Sequence, residues 1–198
     1  MIARLDWRLL SLLGAAAAIL LLQLLWPTAA SAIWPPLGFV LFACALFRKE
    51  LKQYDWAALK TARFWEPAFF AVTQGIMAQA AGIVIVQYGL RIPPPPTVLS
   101  LSLGVVISSV LFSAILEELI YRKALYGWFS KFAGFWPAAA GSSALFALAH
   151  HNYSAYLGYF LLGLVWCRTY RRTGDIGVLI AAHMIFNAVA MIVIAARG

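Results

Sequence analysis

Long apolar runs separated by short basic or proline-containing segments are the feature that most constrains this fold. A helix that crosses the hydrocarbon core of a bilayer needs ~20 apolar residues. Of the 198 residues, 64% are hydrophobic and only 11% are charged, whereas about a quarter of the residues of a typical soluble domain are charged. The sequence therefore predicts an all-α, polytopic transmembrane bundle of about seven spans, in a multi-pass protein of the cell membrane.

The predicted spans follow the apolar runs in chain order. They are Leu9–Trp26, Ile33–Phe47, Pro67–Leu90, a fourth helix that begins near Val98, Trp136–His151, Tyr153–Arg168 and Ile176–Ala196. The first run follows two arginines and could instead be a cleaved signal peptide. Its length and the further spans favour a retained helix. We divide the chain into N-terminal helices with a charged interfacial connector, 1–97, and a core, 98–198.

The basic residues indicate an orientation. The net charge is +8, and of the 15 Lys and Arg residues only Arg91 and Arg197 fall outside the segments that a cytoplasmic N-terminus would place in the cytoplasm. This bias fits the positive-inside rule and predicts a cytoplasmic N-terminus. We therefore expect membrane lipid, and no nucleic acid, as a partner. Cys44 and Cys167 lie inside apolar runs and are interpreted as packing residues.

Two adjacent carboxylates, Glu117 and Glu118, stand in the fourth apolar helix. An ionisable residue at membrane depth is costly, so it is a functional-site candidate by default. Arg122 follows Glu118 by four residues, which predicts an ion pair on one helix face. Glu117 points about 100° away from Glu118, so it is left free to face a cavity.

Two later motifs supply partners for that carboxylate. They are Phe146-x-x-x-His150 on the fifth predicted helix and His183-x-x-x-Asn187 on the seventh. At a rise of 1.5 Å per residue, Glu117 and His150 lie at about the same depth on either side of the intervening turn. We therefore expect Glu117, His150, His183 and Asn187 to line one cavity.

These groups fit hydrolysis of a peptide bond by water. A carboxylate and an imidazole around one water can take its proton and later return it to a leaving amine, which suits Glu117 and His150. His183 and Asn187 offer N–H donors to an oxyanion. Two alternatives remain: a transporter that uses the Glu/His cluster as a proton relay, and a catalytically silent immunity or scaffold protein that binds a partner.

The three motifs, in this order, resemble the CPBP family of CAAX-processing and bacteriocin-processing intramembrane proteases. The resemblance covers roughly 98–196. It implies an intramembrane endopeptidase in which Glu117 and His150 activate water and His183 and Asn187 stabilise the oxyanion. Glu118 and Arg122, with Phe146, would support the site. The implied substrate is a membrane-bound protein or peptide: a CAAX-type tail, a bacteriocin precursor or a C-terminal sorting tail.

Metal dependence stays open at this point. Glu117, His150 and His183 could ligate Zn²⁺ with one open position. The sequence lacks the His-Glu-x-x-His helix of a zincin, and we favour Glu/His chemistry without a cofactor. The residues do not predict the oligomeric state or the scissile bond.

Overall fold

The computed structural model describes residues 7–26, 28–94, 102–150 and 152–196, and the regular elements in these ranges are all helical. The predicted all-α class is therefore confirmed. The main helices of the described part are α1 Trp7–Leu25, α2 Ala29–Leu46, α3 Arg48–Gln53, α4 Ala62–Gly89, α5 Leu103–Phe129, α6 Phe135–Leu148, α7 Tyr156–Thr173 and α8 Ile176–Ala196. Val98, the predicted start of the fourth span, lies outside the described residues.

Several helices suit a bilayer by length and composition. In the described part, α1, α4, α5 and α8 are long and apolar enough to cross a membrane, and α6 and the segment Ile33–Leu46 of α2 are shorter apolar helices. The chain is thus a multi-pass membrane protein. The count of seven spans stays a prediction, because α7 ends in two arginines and is less apolar.

The connector between α2 and α4 packs onto the base of the bundle. The indole N–H of Trp56 donates to the Leu51 carbonyl at 3.2 Å, and that of Trp65 donates to the Leu59 carbonyl at 2.8 Å. These bonds hold the two indoles in place, as expected for aromatic rings at a membrane interface.

A second contact ties the connector to the turn between α7 and α8. The hydroxyl of Tyr54 donates to the carboxylate of Asp175 at 3.0 Å, and that carboxylate also accepts from the Gly177 backbone N–H at 2.8 Å. Burial and the Asp175 carboxylate raise the pKa of Tyr54 to about 12. The phenol therefore remains a hydrogen-bond donor throughout the physiological pH range.

Small residues let α4, α6 and α7 approach closely. A Cβ atom on Gly82 would lie 2.4 Å from the Gly158 backbone nitrogen, and one on Gly163 would lie 2.7 Å from the Ser143 side chain. Close backbone approach at small residues is the usual basis of helix packing in membranes. The core that results contains Trp166, which is fully buried.

Helix α5 carries the Glu117-Glu118 pair and departs from regular α-helix twice. The stretches Ser108–Ser113 and Glu118–Tyr126 are wound as wider π-type turns, which are often found at functional sites. The hydroxyl of Ser142 on α6 donates to the Tyr121 carbonyl at 2.5 Å. This bond fixes α6 against the segment of α5 that follows the glutamates.

Candidate active site

The Glu118 carboxylate is a buried hub for two of the motifs. Its Oε1 accepts from Arg122 Nη1 and from His183 Nδ1, each at 2.9 Å. The side chains of Glu118 and Arg122 are wholly buried. The predicted i,i+4 contact is thus present, and a histidine from α8 joins it. The hub fastens α8 to α5 at the level of the glutamates.

The Arg122 guanidinium contacts two aromatic rings as well as Glu118. Its Cζ lies 4.2 Å from the Phe146 ring centroid and 5.0 Å from that of Trp166. Aromatic faces attract a cation most strongly when water is excluded. Phe146, with 1% of its surface exposed, therefore stabilises the buried cation.

Glu117 faces away from that hub and lies between the two motif histidines. Its Oε2 is 3.9 Å from His150 Nε2 and 3.7 Å from His183 Nε2. The same oxygen is buried and has no hydrogen-bond partner among the described residues. Separations of this size exceed a direct hydrogen bond, so the carboxylate approaches both imidazoles without being bonded to either.

His150 is held in one orientation. Its Nδ1–H donates to the Phe146 carbonyl at 2.8 Å, which leaves Nε2 as the nitrogen that faces Glu117. Its ring stacks on Tyr159 at 3.8 Å between centroids and 25° between planes, and the edge of Phe146 lies 4.6 Å away. Three contacts from α6 and α7 thus fix the imidazole.

His183 and Asn187 are placed differently from each other. His183 is 3% exposed and packs on Trp166 at 4.5 Å; with Nδ1 on Glu118, its Nε2 is directed at Glu117. Asn187 lies one turn further along α8, and its Nδ2 donates to the Ser109 carbonyl at 2.8 Å. One of the two Asn187 N–H groups is therefore used within the fold.

A cavity of about 680 Å³ opens beside Glu117 and is walled by α1, α2, α5 and α6. Apart from Glu117 and His150, its polar wall residues are Gln23, Ser113 and Tyr121, and the remaining walls are apolar. His183 and Asn187 are not among the wall residues. His183 packs on Trp166 and approaches the cavity only through Glu117, and Asn187 is bonded to the Ser109 carbonyl. The role of these two residues at the site stays a prediction.

The arrangement does not form a ready metal site. Among the described residues, no group of three or more His, Cys, Asp or Glu side chains is spaced to hold a metal ion. Ligand atoms on a tetrahedral zinc ion are roughly 3.3 Å apart, whereas Glu117 Oε2 lies 3.7 and 3.9 Å from the two Nε2 atoms. Glu117, His150 and His183 would have to move closer together, and we derive no step through a metal.

Sequence reasoning missed three parts of this site. They are the His183–Glu118 bond, the stacking of Tyr159 on His150 and the packing of Trp166 on His183. Tyr159 and Trp166 lie on α7, which carries none of the motifs. The available signal was the position of α7 directly after α6, which favours a location beside the site for its aromatic residues.

Comparison with known proteins bears on the same segment. A family model described as type II CAAX prenyl endopeptidase Rce1-like matches residues 99–189, which contain all three motifs. The match supports the CPBP family for residues 99–189. The matched segment includes α6, α7 and most of α5 and α8, the helices that supply the glutamates, Arg122 and the histidines.

A curated relative matches over a similar length. The "Putative membrane peptidase YdiL" of Bacillus subtilis (strain 168) is 33% identical over 90 residues, which are 46% of this chain and 36% of that protein. The match therefore spans about a third of the relative's length. No solved structure is significantly similar to the chain.

Proposed function

We propose that this chain is an intramembrane endopeptidase that hydrolyses a peptide bond of a membrane-associated protein or peptide with an activated water. One observation carries the proposal: the Glu117 carboxylate oxygen lies within 4 Å of the Nε2 atoms of two histidines, beside a cavity. The CPBP-family domain and the peptidase name of the relative support the same reaction class.

Glu117 and His150 are the proposed acid–base pair. A water between Glu117 Oε2 and His150 Nε2 gives its proton to this pair as its oxygen attacks the scissile carbonyl carbon. The proton then passes to the amide nitrogen, the C–N bond breaks, and a carboxylate and an amine leave. The bond from His150 Nδ1 to the Phe146 carbonyl keeps Nε2 as the nitrogen available to the water.

His183 and Asn187 are the proposed donors to the oxyanion. Because His183 Nδ1–H is bonded to Glu118, Nε2 donates only when both ring nitrogens carry protons. Asn187 keeps one N–H free of the Ser109 carbonyl. A donor of this kind is worth about 3 kcal/mol in the transition state.

Glu118 and Arg122 are proposed to position His183 and hold α5. They touch neither the cavity nor the proposed water, since both are fully buried behind Glu117. Their contribution to hydrolysis would be indirect, through the orientation of His183.

The family match and the cavity support a proposal for the substrate class. A CAAX-type tail is the first candidate because the matched family model describes type II CAAX prenyl endopeptidases. A bacteriocin precursor or a C-terminal sorting tail remains open. The largely apolar cavity walls suit a peptide segment presented from the membrane rather than a charged soluble peptide.

The direct test is to co-express the protein with membrane-bound reporters, each carrying one of these three tail types. New protein termini are then identified by mass spectrometry for the wild type and for Glu117→Gln. We expect one reporter to be cut by the wild type only. If none of the three reporters is cut and the protein catalyses proton-coupled flux in liposomes, a transporter that uses the Glu/His cluster as a proton relay would be favoured.

A further inference from the structure

A second cavity lies on the side of α5 away from the proposed catalytic water. It has a volume of about 450 Å³ and is lined by α2, α5, α8, the connector and the first turn of α4. Ile115, Leu119 and Lys123 of α5 line it at intervals of four residues. Glu117 instead lines the first cavity, so α5 separates the two.

The walls of this second cavity change from apolar to polar along its length. Val40 on α2 and Met184 on α8 belong to the apolar part, whereas the charged or hydroxyl-bearing wall residues are Glu50, Tyr54 and Lys123. All three lie at the connector end of the bundle, where α2 ends. From Ile115 to Lys123, α5 rises roughly 12 Å. The cavity is thus apolar along most of its wall and has a few polar groups at the connector end, an arrangement that suits an acyl chain with a polar headgroup.

The side chain of Lys123 lies at the polar end of the second cavity. The Lys123 Nζ lies 4.6 Å from the Phe47 ring centroid and is half-buried. Glu50 and Asp175 both act on Lys123 electrostatically, and Glu50 is also paired with Arg8. The neighbouring α3 adds Lys49 and Lys52, both exposed. The basic residues at this end, Arg8, Lys49, Lys52 and Lys123, outnumber the carboxylates of Glu50, Asp55 and Asp175, so an acidic headgroup would meet net positive charge here.

The surrounding aromatic residues place this end at headgroup level. The indoles of Trp56 and Trp65 line the cavity and are each held by a bond to a backbone carbonyl. Tryptophans of this kind mark the boundary between acyl chains and headgroups. An acyl chain lying upward from this boundary would follow the apolar walls of α2 and α8.

We propose that the second cavity binds one acyl chain of an anionic phospholipid, with the lipid phosphate against Lys123. The site is distinct from the proposed substrate cavity because α5 stands between them and presents Glu117 to the other side. It does not depend on the protein being a peptidase.

The test uses a phosphatidylglycerol analogue with a photoactivatable diazirine in its acyl chain, in liposomes that contain the full-length protein. Adducts are mapped by mass spectrometry. We expect them to concentrate on residues 40–47 and 176–184. Lys123→Gln should lower this labelling about fivefold, as expected for loss of one lysine beside an acidic headgroup. Lys131→Gln, an exposed lysine outside the cavity, is the matched control and should leave labelling unchanged.

Two further measurements separate the remaining occupants. A phosphatidylcholine analogue with the same acyl chain should label these segments less than phosphatidylglycerol does, and Val40→Trp, which fills the apolar end, should abolish labelling by either lipid. Equal labelling of wild type and Lys123→Gln would overturn the proposal. So would adducts spread evenly over outward-facing residues such as Leu24 and Ile192, or cross-links from these segments to a second copy of the chain.

Discussion

The Nδ1 atom of His183 lies 2.9 Å from the Oε1 atom of Glu118. This contact joins residues 65 positions apart in the chain, and the same oxygen accepts from Arg122. The second glutamate of the pair therefore organises the histidine of the last motif, while the first glutamate faces the cavity. Glu118 thus positions His183, whereas Glu117 is the carboxylate to which the chemistry is assigned.

Loss of Arg122 should lower the thermal stability of the folded protein. Arg122→Ala would leave Glu118 as a buried charge without its cationic partner, and breaking such a pair costs about 3–5 kcal/mol. We expect a clear fall in Tm, measured by thermal unfolding of the purified protein in detergent. Glu50→Gln, which breaks the exposed pair with Arg8, is the control and should change Tm little. An unchanged Tm for Arg122→Ala would show that the hub does not stabilise the fold.

Tyr159 should matter for turnover through its ring rather than its hydroxyl. Tyr159→Leu removes the surface on which His150 stacks, so His150 should lose its orientation and kcat should fall about tenfold or more, with KM nearly unchanged. Tyr159→Phe keeps the ring and should retain most of the activity. Equal losses in the two variants would indicate that stacking is not what positions His150.

Chelation should not inhibit the proposed cleavage. Glu117 Oε2 and the two histidine nitrogens are spaced more widely than zinc ligands, so we expect full cleavage activity after dialysis against 1,10-phenanthroline. The measurement is the initial rate before and after dialysis, and after adding Zn²⁺ back. Inhibition that is reversed by zinc would make Glu117, His150 and His183 metal ligands.

The chain termini should lie on opposite sides of the membrane. Seven spans with the N-terminus in the cytoplasm place Gly198 outside it, as the distribution of Lys and Arg indicates. Paired reporters fused at Gly198, one active only in the cytoplasm and one only outside it, measure this directly. A cytoplasmic signal would contradict the combination of seven spans with a cytoplasmic N-terminus.

The sequence was most informative where contacts are local. Apolar runs predicted the positions of the helices, and a spacing of four residues was enough to pair Glu118 with Arg122. Such regularities follow from the periodicity of a single helix. The chemistry assigned to Glu117, His150, His183 and Asn187 remains a prediction, although the structure brings Glu117 close to both histidines.

The sequence did not predict contacts between helices that are far apart in the chain. Tyr54 and Asp175 are 121 residues apart, and no pattern links Tyr159 to His150. Asn187 was expected in the cavity wall, yet it bonds to the Ser109 carbonyl on α5. Such contacts depend on how helices are rotated and spaced by small residues such as Gly82 and Gly158, which a single sequence does not specify.

The most direct test of the account is the single-turnover cleavage rate of Glu117→Gln against wild type, measured in proteoliposomes on the reporter that the wild type cuts. Glutamine keeps the shape of the side chain but cannot take a proton from water. General acid–base catalysis contributes roughly 10²–10⁴-fold, so we predict a fall of that size with unchanged Tm and unchanged membrane insertion. A rate within a factor of about three of wild type would contradict the role given to Glu117.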